Sequence, residues 1–341
     1  MKNIRVAING FGRIGRAFFK IASERKEIEI VAVNDLGDIE NMAYLLKYDS
    51  VYGKSGLDVK VENGKKSLSV NGNLVKFLAV KNISELPWKD LDIDVVVEST
   101  GLFTDYEKAK EHVSAGAKRV VISAPGKGDE TNGKTVLMGI NEKDLEICEV
   151  SSNASCTTNA ASPLIAILDE ALGIEKALLN TVHGYTASQS IVDGPNKKDF
   201  REGRAAAQNI VPSSTGAAIA VTKAFPKLSG LFDGISTRVP VSAGSIVDVT
   251  FISKKETTKE EVNEILKKAA QEKRWEGIFS VTEEDLVSSD ILGSPYGSIA
   301  DLKMTRVVGG NVVKVMGWYD NEMGYVHRMM ELCGKVALSL P

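Results

Sequence analysis

Residues 8–16 read INGFGRIGR, closing the short apolar run IRVAI (4–8) and opening an amphipathic stretch from Arg13 to Ser23. Gly10, Gly12 and Gly15 fit G-x-G-x-x-G, and the reason for that spacing is steric. The first glycine permits a tight turn, the second lets backbone approach a pyrophosphate, and the third lets the helix pack closely on the strand. Phosphate oxygens then face the N–H groups and positive end of a helix that begins with Arg13 and Ile14. Glycines also mark ordinary turns, so context matters. Asp35 ends IEIVAVND (28–35), where a carboxylate can accept hydrogen bonds from the adenosine ribose and repel a 2′-phosphate. The reading is an NAD site on a Rossmann-type α/β domain; the rival is a turn cluster followed by a capping Asp.

Outward from this motif, further apolar runs, DVVVEST (94–100) and RVVIS (119–123), alternate with helical patterns, as βαβ units around a parallel sheet do. The segment 59–77, VKVENGKKSLSVNGNLVKF, carries Asn63-Gly64 and Asn71-Gly72 between alternating apolar residues, a hairpin signal within that sheet. Past residue 156 the pattern changes to one helix and then long strand-like stretches: ALLNTVHG (177–184), GISTRVP (234–240), SIVDVTFIS (245–253) and NVVKVMGWY (311–319). This predicts a second, α+β domain with a mostly antiparallel sheet over 156–321. The first domain then covers 1–155, completed by a terminal helix over 322–341.

A chain of 341 residues, 43% hydrophobic and 26% charged, has apolar surface for two cores. Its formal charge of -3 supplies no positive field for nucleic acid or anionic membrane, and no apolar stretch is long enough to span a bilayer. The N-terminus lacks the pattern of a secretory signal. Three cysteines at wide spacing, Cys148, Cys156 and Cys333, fit neither a disulfide framework nor a metal site, and favour a reducing cytoplasm.

Cys156 stands in SNASCTTN (152–159), among small hydroxylated residues that leave a thiol accessible. A free thiol ionises near ~8.5, and a helix N-terminus or a neighbouring imidazole lowers that value. Pro163 leaves two readings open: Cys156 begins the following helix, or lies in a loop one turn before it. His112 and His327 lie in helical patterns and read as surface or packing residues, whereas His183 ends the strand LLNTV at the start of a polar loop. A strand-end histidine alone is structural more often than catalytic, but a thiol in need of a base reverses that order. Ser213-Ser214-Thr215-Gly216-Ala217 opens a helical pattern and fits either an anion site or a plain cap. Arg238, alone on an apolar strand, is either an ion-pair member or a phosphate ligand. Residues 184–209 form a long polar loop, too long for an inert connection, with Arg201 and Arg204 in it.

Together these motifs resemble the phosphorylating glyceraldehyde-3-phosphate dehydrogenase family. The likeness runs in order through INGFGRIGR, VAVND, ESTG, ISAP, SNASCTTN, TVHGYTASQ, VPSSTGAA, RVP and WYDNEMGY (318–325). It implies that 156–321 is the catalytic domain, with Cys156 as nucleophile and His183 as base, and NAD held by Gly10, Gly12, Arg13, Ile14 and Asp35, with Ser123 and Asn321 on the nicotinamide side. It implies Thr186 and Arg238 for the substrate phosphate, and Ser155, Thr157, Thr215 and Gly216 for inorganic phosphate. It also implies a homotetramer acting on glyceraldehyde 3-phosphate and phosphate in the cytoplasm, with the long loop at a neighbouring subunit. The chain departs from the family pattern at Ala160, where many relatives carry a second cysteine, in RVPVSAGSIVD, and at Lys81, where an arginine is frequent. Two other readings are an erythrose-4-phosphate dehydrogenase and a nucleotide-binding interaction protein of the same fold.

Overall fold

The computed structural model describes residues 3–197 and 199–338, so positions 339–341 of the expected terminal helix lie outside the described residues. Two compact units form, one from the residues up to Ala154 with those from Met329 on, the other from Ser155–Arg328.

The first unit contains β1 (Ile4–Asn9), α1 (Arg13–Ala22), β2 (Ile28–Asn34) and α2 (Ile39–Lys47), then a two-residue pairing of β3 (Tyr48–Asp49) with β4 (Gly53–Lys54). Next come β5 (Val59–Glu62), β6 (Ser67–Val70), β7 (Asn73–Leu78), β8 (Val95–Glu98), α3 (Tyr106–Ala109), α4 (Glu111–Ser114), β9 (Arg119–Ile122), β10 (Lys134–Thr135) and β11 (Val150–Ser152). Nine strands pair in the order β10-β11-β9-β8-β1-β2-β7-β6-β5. Every pairing from β10 to β7 is parallel, and β7-β6-β5 run antiparallel. The antiparallel corner follows from Asn71 (φ 50°) and Gly72 (φ 83°), both left-handed as a two-residue hairpin turn requires. Val95, Val96 and Val97 are all fully buried, as in a strand covered on both faces, each contributing about 1.5–3 kcal/mol. Helices cross between parallel strands, so the strands' carboxyl ends meet along one edge.

The second unit contains α5 (Cys156–Leu172), β12 (Ile174–Gly184), β13 (Val211–Ser214), α6 (Ala217–Ala224), β14 (Phe232–Val239), β15 (Ser245–Ser253), α7 (Lys259–Ala269), β16 (Phe279–Thr282), β17 (Ser298–Asp301), β18 (Arg306–Val308) and β19 (Val312–Tyr319). The strand order is β13-β14-β12-β15-β19-β17-β16, antiparallel except at β14-β12 and β17-β16. From Thr157 to Asp169 every residue of α5 is buried, and the helix packs on the sheet through β12, β15, β17 and β19. Along β12 burial alternates, so Ala177, Leu179, Thr181 and His183 share the inward face. The chain ends in α8 (Met323–Leu338), and the division between the units falls within it, after Arg328.

Candidate active site

Cys156 is the first residue of α5, which decides between the two readings that Pro163 left open. Ser155 is the N-cap, its Oγ accepting from Thr158 N at 3.0 Å. Pro163 sits inside the helix, where the bond it cannot donate is offset by near-complete burial of that segment. Cys156 Sγ lies 3.3 Å from His183 Nε2, joining the first turn of the helix to the end of β12. The inward periodicity of β12 sets this meeting, since His183 falls two residues beyond Thr181 on the buried face.

β14 runs parallel to β12 with Arg238 opposite His183. Arg238 Nη1 stands 2.5 Å from His183 Nδ1 and 3.3 Å from the Gly184 carbonyl. Arg238 makes no ion pair with any described carboxylate, and its Nε is buried without a partner. Burial first, then the Arg238 charge, push the His183 pKa down to about 3, so its imidazole is neutral at pH 7. Burial also pushes the Cys156 thiol up, against Arg238 and the N–H groups of the helix start. Burial thus opposes the lowering expected from the sequence, although the cysteine as a residue is only half-buried.

Behind the sulfur, the Tyr319 hydroxyl lies 2.9 Å from Thr157 Oγ1 and 2.7 Å from Thr181 Oγ1, and the Tyr319 ring meets His183 edge-on at 5.9 Å. The hydroxyls of Ser155 and Thr157 are thus engaged, one in capping and one in this buried chain. Thr186 Oγ1 pairs with Ser188 Oγ at 3.1 Å, and Thr215 Oγ1 accepts from Ala217 N at 3.2 Å beside Gly216, the N-cap of α6. No hydrogen bond among the described residues joins Thr186, Thr215 or Gly216 to Cys156, His183 or Arg238. Asn321 is buried, its Oδ1 accepting from Gly244 N and Ser245 Oγ at 3.0 Å each, which orients the amide. Ser123 follows β9 and donates its N–H to the Glu98 carbonyl at 2.8 Å. In the 184–209 loop, Arg201 pairs with Asp199 and Arg204 with Asp193.

In the first unit, a crevice of about 390 Å³ lies outside the carboxyl ends of β1, β2 and β8, lined by Gly10, Gly12, Asp35, Lys81, Ser99 and Thr100. Asp35 takes Phe11 N at 2.6 Å on one oxygen and Gly37 N at 2.8 Å on the other, which fixes the carboxylate at the rim. No side chain caps α1, and the Arg13 guanidinium turns to Asp49 at 3.2 Å, so the Arg13-Ile14 turn offers an anion its backbone. Gly10 has φ 95°, and a Cβ there meets Thr100 N at 2.5 Å. A Cβ on Gly15 meets the Gly10 carbonyl at 2.2 Å, while one on Gly12 has nothing within 4 Å. The protein's own packing therefore gives no reason for glycine at position 12, and the open space there would admit the close approach of a ligand. Gly12→Ala is expected to keep the wild-type melting temperature and weaken NAD binding about tenfold or more. Gly15→Ala is expected to lose about 1–3 kcal/mol of stability, since one backbone must yield to the other. Thermal melts and NAD titrations of both variants check the contrast.

Sequence reading missed the support beneath this crevice. Glu98, buried at the end of β8, accepts from Asn9 Nδ2 (2.5 Å), Thr100 N (2.8 Å) and Thr100 Oγ1 (2.5 Å), and pairs with His112 Nε2 (3.1 Å). His112 Nδ1 accepts from Trp88 Nε1 at 2.9 Å, and Asn34 Nδ2 donates to Asn9 Oδ1 at 2.7 Å. One carboxylate thus ties the ends of β1, β2 and β8 together. Its only sequence signal is an acid closing an otherwise apolar strand. A larger hollow of about 540 Å³, beside Leu178, Phe232 and Val312 on the second sheet, carries none of this chemistry.

Among the described residues, no helix is long and apolar enough to cross a membrane. Residues 4–106 match the family described as glyceraldehyde 3-phosphate dehydrogenase, NAD binding domain, and residues 155–321 match its C-terminal domain. The chain is 47% identical over 332 residues to glyceraldehyde-3-phosphate dehydrogenase of Streptomyces coelicolor, covering 96% of this chain and 97% of that protein. It is 46% identical over 334 residues to glyceraldehyde-3-phosphate dehydrogenase B of Aspergillus oryzae, covering 98% of each. It is also 46% identical over 341 residues to the Clostridium pasteurianum enzyme of that name, covering 98% and 99%. With a dinucleotide crevice in one unit and a thiol-imidazole pair in the other, each within its matching region, the chain belongs to the glyceraldehyde 3-phosphate dehydrogenase family.

Proposed function

We propose that this chain catalyses the NAD-dependent oxidative phosphorylation of D-glyceraldehyde 3-phosphate to 1,3-bisphosphoglycerate. The observation that carries it is Cys156 Sγ at 3.3 Å from His183 Nε2, with the Arg238 guanidinium beside them and without a carboxylate partner among the described residues. A nucleophile, a base and an anion-seeking cation on adjacent elements suit a phosphorylated aldehyde.

In this reading the Cys156 thiolate forms a bond to the aldehyde carbon as the C=O π bond breaks, and the proton lost by the thiol returns to the resulting alkoxide. The hemithioacetal hydroxyl so formed gives that proton to His183 as the hydride leaves. Gly10, Gly12, Arg13, Ile14 and Asp35 would hold NAD in the crevice, and NAD when bound would supply the two-electron oxidant needed to convert the hemithioacetal into a thioester. Ser123 and Asn321 serve the nicotinamide side. Arg238 and Thr186 hold the substrate phosphate. Inorganic phosphate, held by Ser155, Thr157, Thr215 and Gly216, adds to the thioester carbon, and collapse expels the Cys156 thiolate. The Cys156 backbone N–H at the start of α5 and the His183 side chain stabilise the oxyanion. Because the Thr157 hydroxyl faces Tyr319, inorganic phosphate must either turn it or use the backbone of that turn.

A homotetramer in the cytoplasm is part of this proposal. Ile191 (84% exposed), Val192 (73%) and Phe200 (88%) stand out of the 184–209 loop, and large apolar side chains exposed to that degree favour burial against another subunit. The interaction-protein reading gives no reason for the Cys156-His183-Arg238 arrangement. The erythrose-4-phosphate reading differs at the second half-reaction, where water replaces phosphate. Initial rates with NAD or NADP, with inorganic phosphate present or omitted, test both points. We expect NAD to be preferred, since a carboxylate fixed at Asp35 repels a 2′-phosphate, and multiple turnovers to require phosphate. Phosphate-independent turnover overturns the assignment.

A further inference from the structure

We propose that Arg238 holds His183 in the tautomer that cannot accept the substrate's proton, and that an anionic group on the substrate releases it by drawing the guanidinium away. The proposal rests on the reading of Arg238 as a ligand of the substrate phosphate.

A guanidinium only donates hydrogen bonds and stays charged. With Nη1 at 2.5 Å, His183 Nδ1 must therefore present its lone pair, and the ring proton sits on Nε2, facing Cys156 Sγ at 3.3 Å. In that state Nε2 donates to sulfur and has no lone pair for a hydroxyl proton. The Gly184 carbonyl, 2.6 Å from Nδ1, supplies the alternative. Two bare acceptors that close repel each other, and Arg238 Nη1, 3.3 Å from the same carbonyl, bridges them. Remove the guanidinium and the stable arrangement is Nδ1–H donating to Gly184 O, with Nε2 bare towards the sulfur. The exchange leaves the net charge unchanged: water takes the proton from Nε2 and supplies one to Nδ1.

Little holds the guanidinium where it is. Among the described residues it has no carboxylate partner, and its Nε has no hydrogen-bond partner there either. A doubly charged phosphate makes charge-assisted bonds about twice as strong as those to neutral acceptors, so it outcompetes His183 and Gly184. The remaining neighbours do not set the tautomer: Tyr319 meets the ring edge-on and spends its hydroxyl on Thr157 and Thr181. A phosphorylated aldehyde thereby prepares its own base, and an unphosphorylated one does not.

The test is 15N NMR of the full chain labelled at its three histidines, with His183 assigned from the signal lost in His183→Asn. The ligand-free protein is expected to show Nδ1 bare and Nε2 protonated. Saturation with glycerol 3-phosphate, which has the phosphate but no aldehyde, is expected to reverse the two, as is Arg238→Met without ligand. A ligand-free His183 already protonated on Nδ1 overturns the proposal with no variant needed. So does glycerol 3-phosphate that binds, by calorimetry, yet leaves the tautomer unchanged. Equal affinity of glycerol 3-phosphate for wild type and Arg238→Met instead removes Arg238 from the phosphate site, which separates that failure from the first.

Discussion

Cys156→Ser is expected to lower turnover by about 10⁴-fold or more, since removing a nucleophile disables the residues that act with it. NAD affinity is expected to stay within about twofold, because sites without shared partners act independently. Gly10, Gly12 and Asp35 all lie in the first unit, and serine at the first position of α5 leaves the Ser155 cap in place. Calorimetric NAD titration and steady-state rates on the same preparation separate the two effects. Turnover close to wild type removes Cys156 from the chemistry. The same sulfur sets a pH signature. The reactive form is the thiolate, present above the thiol pKa, and burial moves that pKa up. The rising limb of kcat/KM, which reports the free enzyme, is therefore expected above the ~8.5 of an unperturbed thiol. A limb below that value means that the imidazole and the helix start outweigh burial before substrate arrives.

Features that depend on local backbone demands were legible in the sequence. Gly10 is needed for its positive φ and Gly15 for its contact with the Gly10 carbonyl, both consequences of turning from β1 into α1 within a few residues. Asn71-Gly72 likewise dictates a left-handed two-residue turn. The pairing of Cys156 with His183 could be anticipated because β12 alternates from Ala177 to His183 and places His183 on its buried face. Long-range register was not legible. Arg238 touches His183 only because β14 lies parallel to β12 with those two positions opposite, although they are 55 positions apart in the chain. The direction of the thiol shift was hidden for a related reason: it depends on how much of the second unit covers Cys156, and small polar neighbours suggest access. His112 read as a surface or packing residue and proves to be fully buried and hydrogen-bonded, because Glu98 and Trp88 reach it from distant segments.

His183→Asn is expected to cut the rate of acyl-enzyme formation by about 10²–10⁴-fold, the usual contribution of a positioned base, with little change in NAD affinity. The loss has two parts that different measurements divide. Without Nε2–H, the sulfur loses the donor at 3.3 Å, so alkylation of Cys156 by iodoacetamide at neutral pH is expected to slow in the ligand-free enzyme. Without a bare Nε2 in the substrate complex, the hemithioacetal proton has no acceptor, so the pre-steady-state burst of NADH is expected to disappear even at high pH, where the thiol ionises unaided. High pH therefore restores alkylation but not the burst if both roles belong to His183. Restoration of both reduces it to an aid to thiol ionisation, and restoration of neither points to displaced Cys156. The double variant with Cys156→Ser is expected to be no slower than Cys156→Ser alone, because a base has nothing to do once the group it serves is gone.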